Sequence, residues 1–190
     1  MADLWAFDFD GTLVETATIK REAFFEVFAD RHADVVDAAL IRWPDASRHD
    51  VIPRMVAATG DAALDADGLI DSYGATVVDR VRHAPAIDGV EDALEWAAHH
   101  GVACVFSMTP HAELDAALRA RGWDRWLADI RGHPARKPDT LADWIVRFGA
   151  GAVTVIGDGE SDAEAARLND ACFLPADAGW PLRLTEGVRT

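Results

Sequence analysis

Apolar residues along this chain fall into two patterns. Short apolar runs at 4–7 (Leu4-Trp5-Ala6-Phe7), 102–106 and 152–156, the last interrupted only by Thr154, predict buried strands. Shorter strands are predicted at 129–131 and 171–174. Between the runs, apolar residues recur at helical spacing: Val90, Leu94 and Ala97; Leu114, Ala117 and Leu118; Leu141, Trp144, Ile145 and Phe148. A further helix is predicted over 161–168. Asp88-Gly89-Val90-Glu91 has the form of a capping box, and Thr109-Pro110 reads as an N-cap followed by a first-turn proline. Strands alternating with helices predict an α/β core, a Rossmann-like parallel sheet covered on both faces.

One stretch breaks the alternation. After the first strand, residues 17 to 82 carry only helical spacing. Ile19, Ala23, Phe24, Val27 and Phe28 mark the first face, and further helices are predicted at 34–42, 48–59 and 66–82. Trp43-Pro44 and Thr59-Gly60 separate them. The expected organisation is therefore a core of residues 1–14 and 85–190, with a small all-helical insert at 15–84.

Composition narrows the class. The chain has 190 residues, half of them apolar and 27% charged, an ordinary globular mixture. Its 33 acidic residues outnumber 18 basic ones, for a formal net charge of −15. Such a surface repels phosphate backbones and anionic lipid, so neither nucleic acid nor membrane is an expected partner. Cys104 and Cys172 both read as small buried hydrophobes rather than a disulfide pair. With no basic-then-apolar leader and no run long enough to span a bilayer, the expected setting is cytoplasmic.

The candidate chemistry sits at the strand ends. In open parallel sheets ligands gather at the carboxyl ends of the strands. The first apolar run is followed by Asp8 and Asp10, the second by Ser107, Met108 and Thr109, and the third by Gly157, Asp158, Gly159 and Asp162. Lys137, one of only two lysines, precedes the amphipathic helix in between. Taken singly, each has a plain reading: a strand-end turn for Asp8 and Asp10, a first-turn acid for Asp162, a helix-entry hydroxyl for Ser107, a solvated lysine for Lys137. Taken together they put four carboxylates, a hydroxyl and a lysine on one edge. Carboxylates so gathered repel one another unless a cation is present, and hard oxygen ligands suit Mg²⁺ with a substrate phosphate. His99-His100 and Trp123/Trp126 read as helix surface and core rather than as sites.

These residues resemble the signatures of the haloacid dehalogenase-like superfamily. Asp8-Phe9-Asp10-Gly11-Thr12-Leu13 is similar to its D-x-D-G-T-L motif. Ser107 is similar to its strand-ending Ser or Thr, Lys137-Pro138 to its third motif, and Gly157-Asp158-Gly159-Glu160-Ser161-Asp162 to its G-D-x-x-x-D. The insert resembles that superfamily's small helical cap. Lys20-Arg21-Glu22-Ala23-Phe24, Ser47-Arg48 and 132–137 are similar to a branch likened to phosphoglycolate phosphatases.

The resemblance implies a Mg²⁺-dependent phosphatase of a small phosphorylated metabolite. It implies Asp8 as nucleophile and Asp10 as acid/base. Asp8, the Asp10 carbonyl, Asp158 and Asp162 would be the metal ligands or their support, and Ser107, the Met108 N–H and Lys137 would hold the phosphoryl oxygens. Lys20 and Arg48 are candidates for substrate specificity, beside a reading as surface charges. An acid at residue 10 argues against the dehalogenases and phosphonatases of the superfamily, which lack it. A sugar-phosphate mutase would use the same residues. A phosphoryl-accepting receiver module is the alternative from another class, although receivers lack the helical insert.

Overall fold

The computed structural model describes residues 1–44, 46–177 and 179–186. Asp45 in the predicted insert, and Ala178 and 187–190 in the predicted core, lie outside the described residues. The chain begins with strand β1 (Asp3–Phe7). Four helices follow: α1 (Ala17–Val27), α2 (Ala33–Arg42), α3 (Arg48–Thr59) and α4 (Ala66–Arg82). Alternation then sets in with α5 (Val90–His100), β2 (Gly101–Pro110), α6 (His111–Ala120), β3 (Asp129–His133) and α7 (Lys137–Phe148). It ends with β4 (Val153–Gly157), α8 (Glu160–Leu168), β5 (Cys172–Pro175) and α9 (Trp180–Glu186).

Two compact units result. One comprises Met1–Glu15 together with the chain from Pro85 onward, and the other is Thr16–Ala84.

The first unit is built on a five-stranded sheet in the order β3-β2-β1-β4-β5, every neighbouring pair parallel. The central strand β1 is buried on both faces, which is why it reads as an unbroken apolar run. Leu4 and Ala6 join Cys104, Phe106, Leu141, Trp144, Val155, Ala165 and Ala166 in the cluster under α7 and α8. On the other face, Trp5 meets Trp96 edge to face at 5.1 Å, and Phe7 meets Trp180 at 5.8 Å. The Trp180 indole N–H also donates to the Thr12 carbonyl at 3.1 Å, giving this buried ring its polar partner.

The helical unit has its own core. Phe24 of α1 and Tyr73 of α4 lie ring to ring at 4.3 Å, and Val36, Ile52, Met55 and Val77 of the same unit are buried. No helix among the described residues is long and apolar enough to cross a membrane.

Three local expectations are corrected, and one helix was not foreseen. Strand β2 runs to Pro110 rather than stopping at Phe106, so Ser107, Met108 and Thr109 are strand residues and Thr109 is not an N-cap. The capping box at Asp88 does not form: Gly89 is the N-cap with φ 86°, and Glu91 accepts from the Trp123 indole N–H at 3.0 Å. Cys172 is exposed, because it starts the outermost strand, whereas Cys104 is buried as expected. Helix α9 carries no periodic signal in seven residues, yet Trp180 and Leu184, one turn apart, are both buried.

Candidate active site

The chain builds the sheet outward from β1 through β2 to β3, then returns to the opposite side of β1 for β4 and β5. The reversal lies between β1 and β4, and the connections leaving the strand ends at such a point pass to opposite faces of the sheet, leaving a crevice beyond the ends. Asp8 immediately follows β1 and Asp158 immediately follows β4. The Asp8 N–H donates to the Ile156 carbonyl at 2.8 Å, which fixes the two ends side by side.

Lys137 and Asp162 complete the group. Lys137 is the first residue of α7 and is buried. Its Nζ donates to Asp8 Oδ1 at 2.8 Å and to Asp162 Oδ1 at 2.7 Å. Asp162 lies in the first turn of α8, where Oδ2 accepts from the Gly159 N–H at 3.3 Å. One carboxylate oxygen from each of Asp8, Asp158 and Asp162 lies within 4.8 Å of the other two.

Two glycines make this packing possible. Gly11 has φ +77°, and a Cβ there would overlap the Asp158 carboxylate. A Cβ on Gly157 would overlap the Asp162 side chain. The glycines of both motifs therefore serve as close-approach positions for acids elsewhere in the site.

Asp10 belongs to a second, adjoining group. Its Oδ2 accepts from the Ser107 hydroxyl at 3.1 Å and from the Thr109 hydroxyl at 2.7 Å. The Thr109 N–H donates to Ser107 Oγ at 2.9 Å. Met108 lies between them on the strand, half-buried.

Electrostatics follow from burial and from an imbalance of charge. Burial pushes the Asp8 carboxyl up to about 7; Lys137 opposes this, while Asp162 and Asp10 add to it. Asp158 reaches solvent but is raised to about 6, first by partial desolvation and then by Asp8. Asp162 is raised by burial against the pull of Lys137. Burial alone would lower Lys137, but Asp8 and Asp162 outweigh it and hold the ammonium above the usual lysine range. Three carboxylates thus share one lysine. An all-oxygen donor set carrying this excess of negative charge fits Mg²⁺.

The residues expected from the sequence divide accordingly. Asp8, Asp158, Asp162 and Lys137 meet in one cluster, and Asp10 meets Ser107 beside it. Lys20 on α1 and Arg48 at the start of α3 belong to the helical unit, where the Arg48 guanidinium lies 5.8 Å from the Tyr73 ring. Thr109 was missed as a site residue. The available signal was a second hydroxyl two positions after Ser107, on the same face if the strand continues.

The model of the haloacid dehalogenase-like hydrolase family matches residues 2–170. The chain belongs to this family. This haloacid dehalogenase-like hydrolase is accordingly an enzyme, and its sheet is that of the family. No curated protein matches its sequence.

Among solved structures it is similar to a haloacid dehalogenase-like hydrolase from Bacteroides fragilis, at TM-score 0.72 and 21% identity over 92% of this chain and 87% of that one. It is also similar to a predicted phosphoglycolate phosphatase from Haemophilus somnus, at TM-score 0.73 and 16% identity over 92% and 84%. A third is CbbY from Rhodobacter sphaeroides in complex with xylulose-1,5-bisphosphate, at TM-score 0.70 and 19% identity over 92% and 87%. At these identities the likeness is one of fold.

Proposed function

We propose that this hydrolase is a Mg²⁺-dependent phosphatase that cleaves a small phosphomonoester through an aspartyl-phosphate on Asp8. The observation that carries the reading is the cluster at the β1–β4 reversal. There Lys137 joins Asp8 to Asp162 at 2.8 and 2.7 Å, with Asp158 alongside. A small phosphorylated metabolite as partner and a cytoplasmic setting belong to the same reading. In it Asp8, Asp158, Asp162 and the Asp10 backbone carbonyl would hold the metal or support its ligands. Bound there, Mg²⁺ would neutralise charge on the carboxylates and on the substrate phosphate, so that two anions can approach.

The chain's own residues then divide the work. Asp8 attacks phosphorus, forming the Asp8 O–P bond as the P–O bond to the leaving group breaks. Asp10 gives its proton to the leaving oxygen. It next takes a proton from the water that attacks the aspartyl-phosphate, releasing inorganic phosphate and restoring the Asp8 carboxylate. Lys137 keeps Asp8 oriented and, with the Ser107 hydroxyl and the Met108 N–H, offers donors to the phosphoryl oxygens.

The test is turnover of a panel of phosphorylated metabolites by wild type and Asp8→Asn, with Mg²⁺ and with chelator. The reading expects turnover only with Mg²⁺ and a loss of several orders of magnitude in Asp8→Asn at unchanged melting temperature. A tenth of the activity left in that variant would exclude Asp8 as nucleophile. Release of inorganic phosphate, rather than an isomeric phosphoester, distinguishes a phosphatase from a mutase.

A further inference from the structure

From the double contact at Asp10 we infer that Thr109 is a positioning residue: its hydroxyl holds the Asp10 carboxyl in place for proton transfer while Ser107 serves the phosphate. The inference rests on the proposed acid/base role of Asp10. A hydroxyl has one proton to donate. In the structure Ser107 gives its proton to Asp10 Oδ2 at 3.1 Å, but the proposed chemistry requires that proton on a phosphoryl oxygen. When Ser107 turns to the phosphate, the shorter bond from Thr109 at 2.7 Å remains. Anchoring Oδ2 fixes the plane of the carboxyl group. The remaining lone pairs of Ser107 Oγ still accept the Thr109 N–H at 2.9 Å, so one residue steadies both partners.

The backbone explains why Thr109 can do this. Helix α6 starts at His111 with Pro110 in the N-cap position, so the Thr109 hydroxyl is not used for capping. Thr109 instead continues β2, two residues beyond Ser107, and period-two alternation turns both side chains the same way. Both are buried, whereas Met108 between them is half-buried. Pairing of β2 with β3 becomes irregular between Phe106 and Pro110, the stretch that carries both hydroxyls.

The experiment compares kcat/KM for p-nitrophenyl phosphate with kcat/KM for the alkyl phosphate turned over fastest in the panel. The second-order constant reports the first chemical step, and only the alkyl leaving group is basic enough to need an acid there. Thr109→Val keeps the shape and the backbone N–H and removes only the hydroxyl. It should lower the alkyl-to-aryl ratio roughly tenfold, a part of what a positioned acid contributes. Thr109→Ser should restore the ratio, and inhibition by vanadate should be unchanged in both. Equal losses on the two substrates, or weakened vanadate inhibition, would mean that the hydroxyl only supports the fold, and would overturn the inference. Asp10→Asn separates the two levels. If its ratio falls and that of Thr109→Val does not, Thr109 is excluded and the acid/base reading stands. If its ratio does not fall, the acid/base reading fails and the inference fails with it.

Discussion

Lys137 Nζ lies 2.8 Å from Asp8 Oδ1, across 129 residues of sequence and with both side chains buried. The pair ties the end of the central strand to a distant helix: Asp8 follows β1, and Lys137 opens α7 after β3. Its energetic meaning depends on its neighbours. Lys137 also meets Asp162, so removing the ammonium would strand two carboxylates in the interior rather than one.

Lys137→Met should therefore destabilise the protein, by about 3–5 kcal/mol at neutral pH on the scale of a broken buried ion pair. The loss should shrink under acidic conditions, where Asp8 and Asp162 take up protons instead. Urea melts of both proteins at neutral and acidic pH measure this. An equal loss at both would show that packing of the lysine stem, not charge, is what the substitution removes.

Proton uptake also predicts how stability depends on metal. Asp8 and Asp158, at about 7 and about 6, lie above the unfolded value of 3.8. Groups raised on folding contribute stability that is complete below the unfolded value and lost as pH rises through the folded one. The metal-free protein should lose melting temperature between about pH 5 and pH 8. Mg²⁺ must displace those protons, so the rise in melting temperature on adding it should grow over the same range. Asp61 in the helical unit runs the opposite way. Lowered to about 2 by Arg31 and neighbouring donors, it contributes above 3.8 and is lost in acid, outside this window. Melts with Mg²⁺ and with chelator check the trend; a Mg²⁺ effect that shrinks toward alkaline pH would contradict it.

Gly11→Ala tests whether the motif glycine serves the metal site. At φ +77° an alanine is strained, and its Cβ would overlap the Asp158 carboxylate. Asp158 must then move out of the cluster. Mg²⁺ affinity by calorimetry should fall at least about tenfold, beyond a stability cost of about 1 kcal/mol for the backbone. Wild-type affinity would show that Asp158 is not needed where the structure has it.

Most of the site was legible because it lies at strand ends, and buried parallel strands are the plainest pattern a sequence can carry. Asp8 and Asp158 could be placed because Asp8 stands directly beyond one apolar run and Asp158 one glycine beyond another. Thr109 could not. An apolar run signals a strand only while it stays apolar, and β2 continues through Ser107 and Thr109, whose polarity is met by Asp10 rather than by solvent. The partner that makes those hydroxyls compatible with burial is about a hundred residues away. Asp88-Gly89-Val90-Glu91 failed for a related reason: Glu91 finds the Trp123 indole, a tertiary partner that outcompetes the local cap. Helix α9 is held by Trp180 against Phe7 and Thr12, contacts that leave no periodicity in a segment of two turns.

Asp10 allows the two chemical steps to be separated in time. As proposed, it protonates the leaving oxygen in the first step and deprotonates water in the second. With p-nitrophenolate, a weakly basic leaving group, the first step needs little help; the second still needs a base. Asp10→Asn should therefore slow an alkyl phosphate in both steps and p-nitrophenyl phosphate mainly in the second. The phosphoenzyme should accumulate with the aryl substrate, giving a burst that approaches one equivalent of p-nitrophenol per active site. The amide still offers an oxygen to the Ser107 and Thr109 hydroxyls, so the carboxyl's position is kept while its proton chemistry is lost. Saturating Mg²⁺ removes any contribution from a disturbed residue-10 carbonyl. The measurement is a rapid-quench time course with both substrates, with mass spectrometry of the protein for an added phosphoryl group. Equal slowing of both, with no burst and no adduct, would remove Asp10 from the acid/base role and leave its two hydroxyl contacts as structure alone.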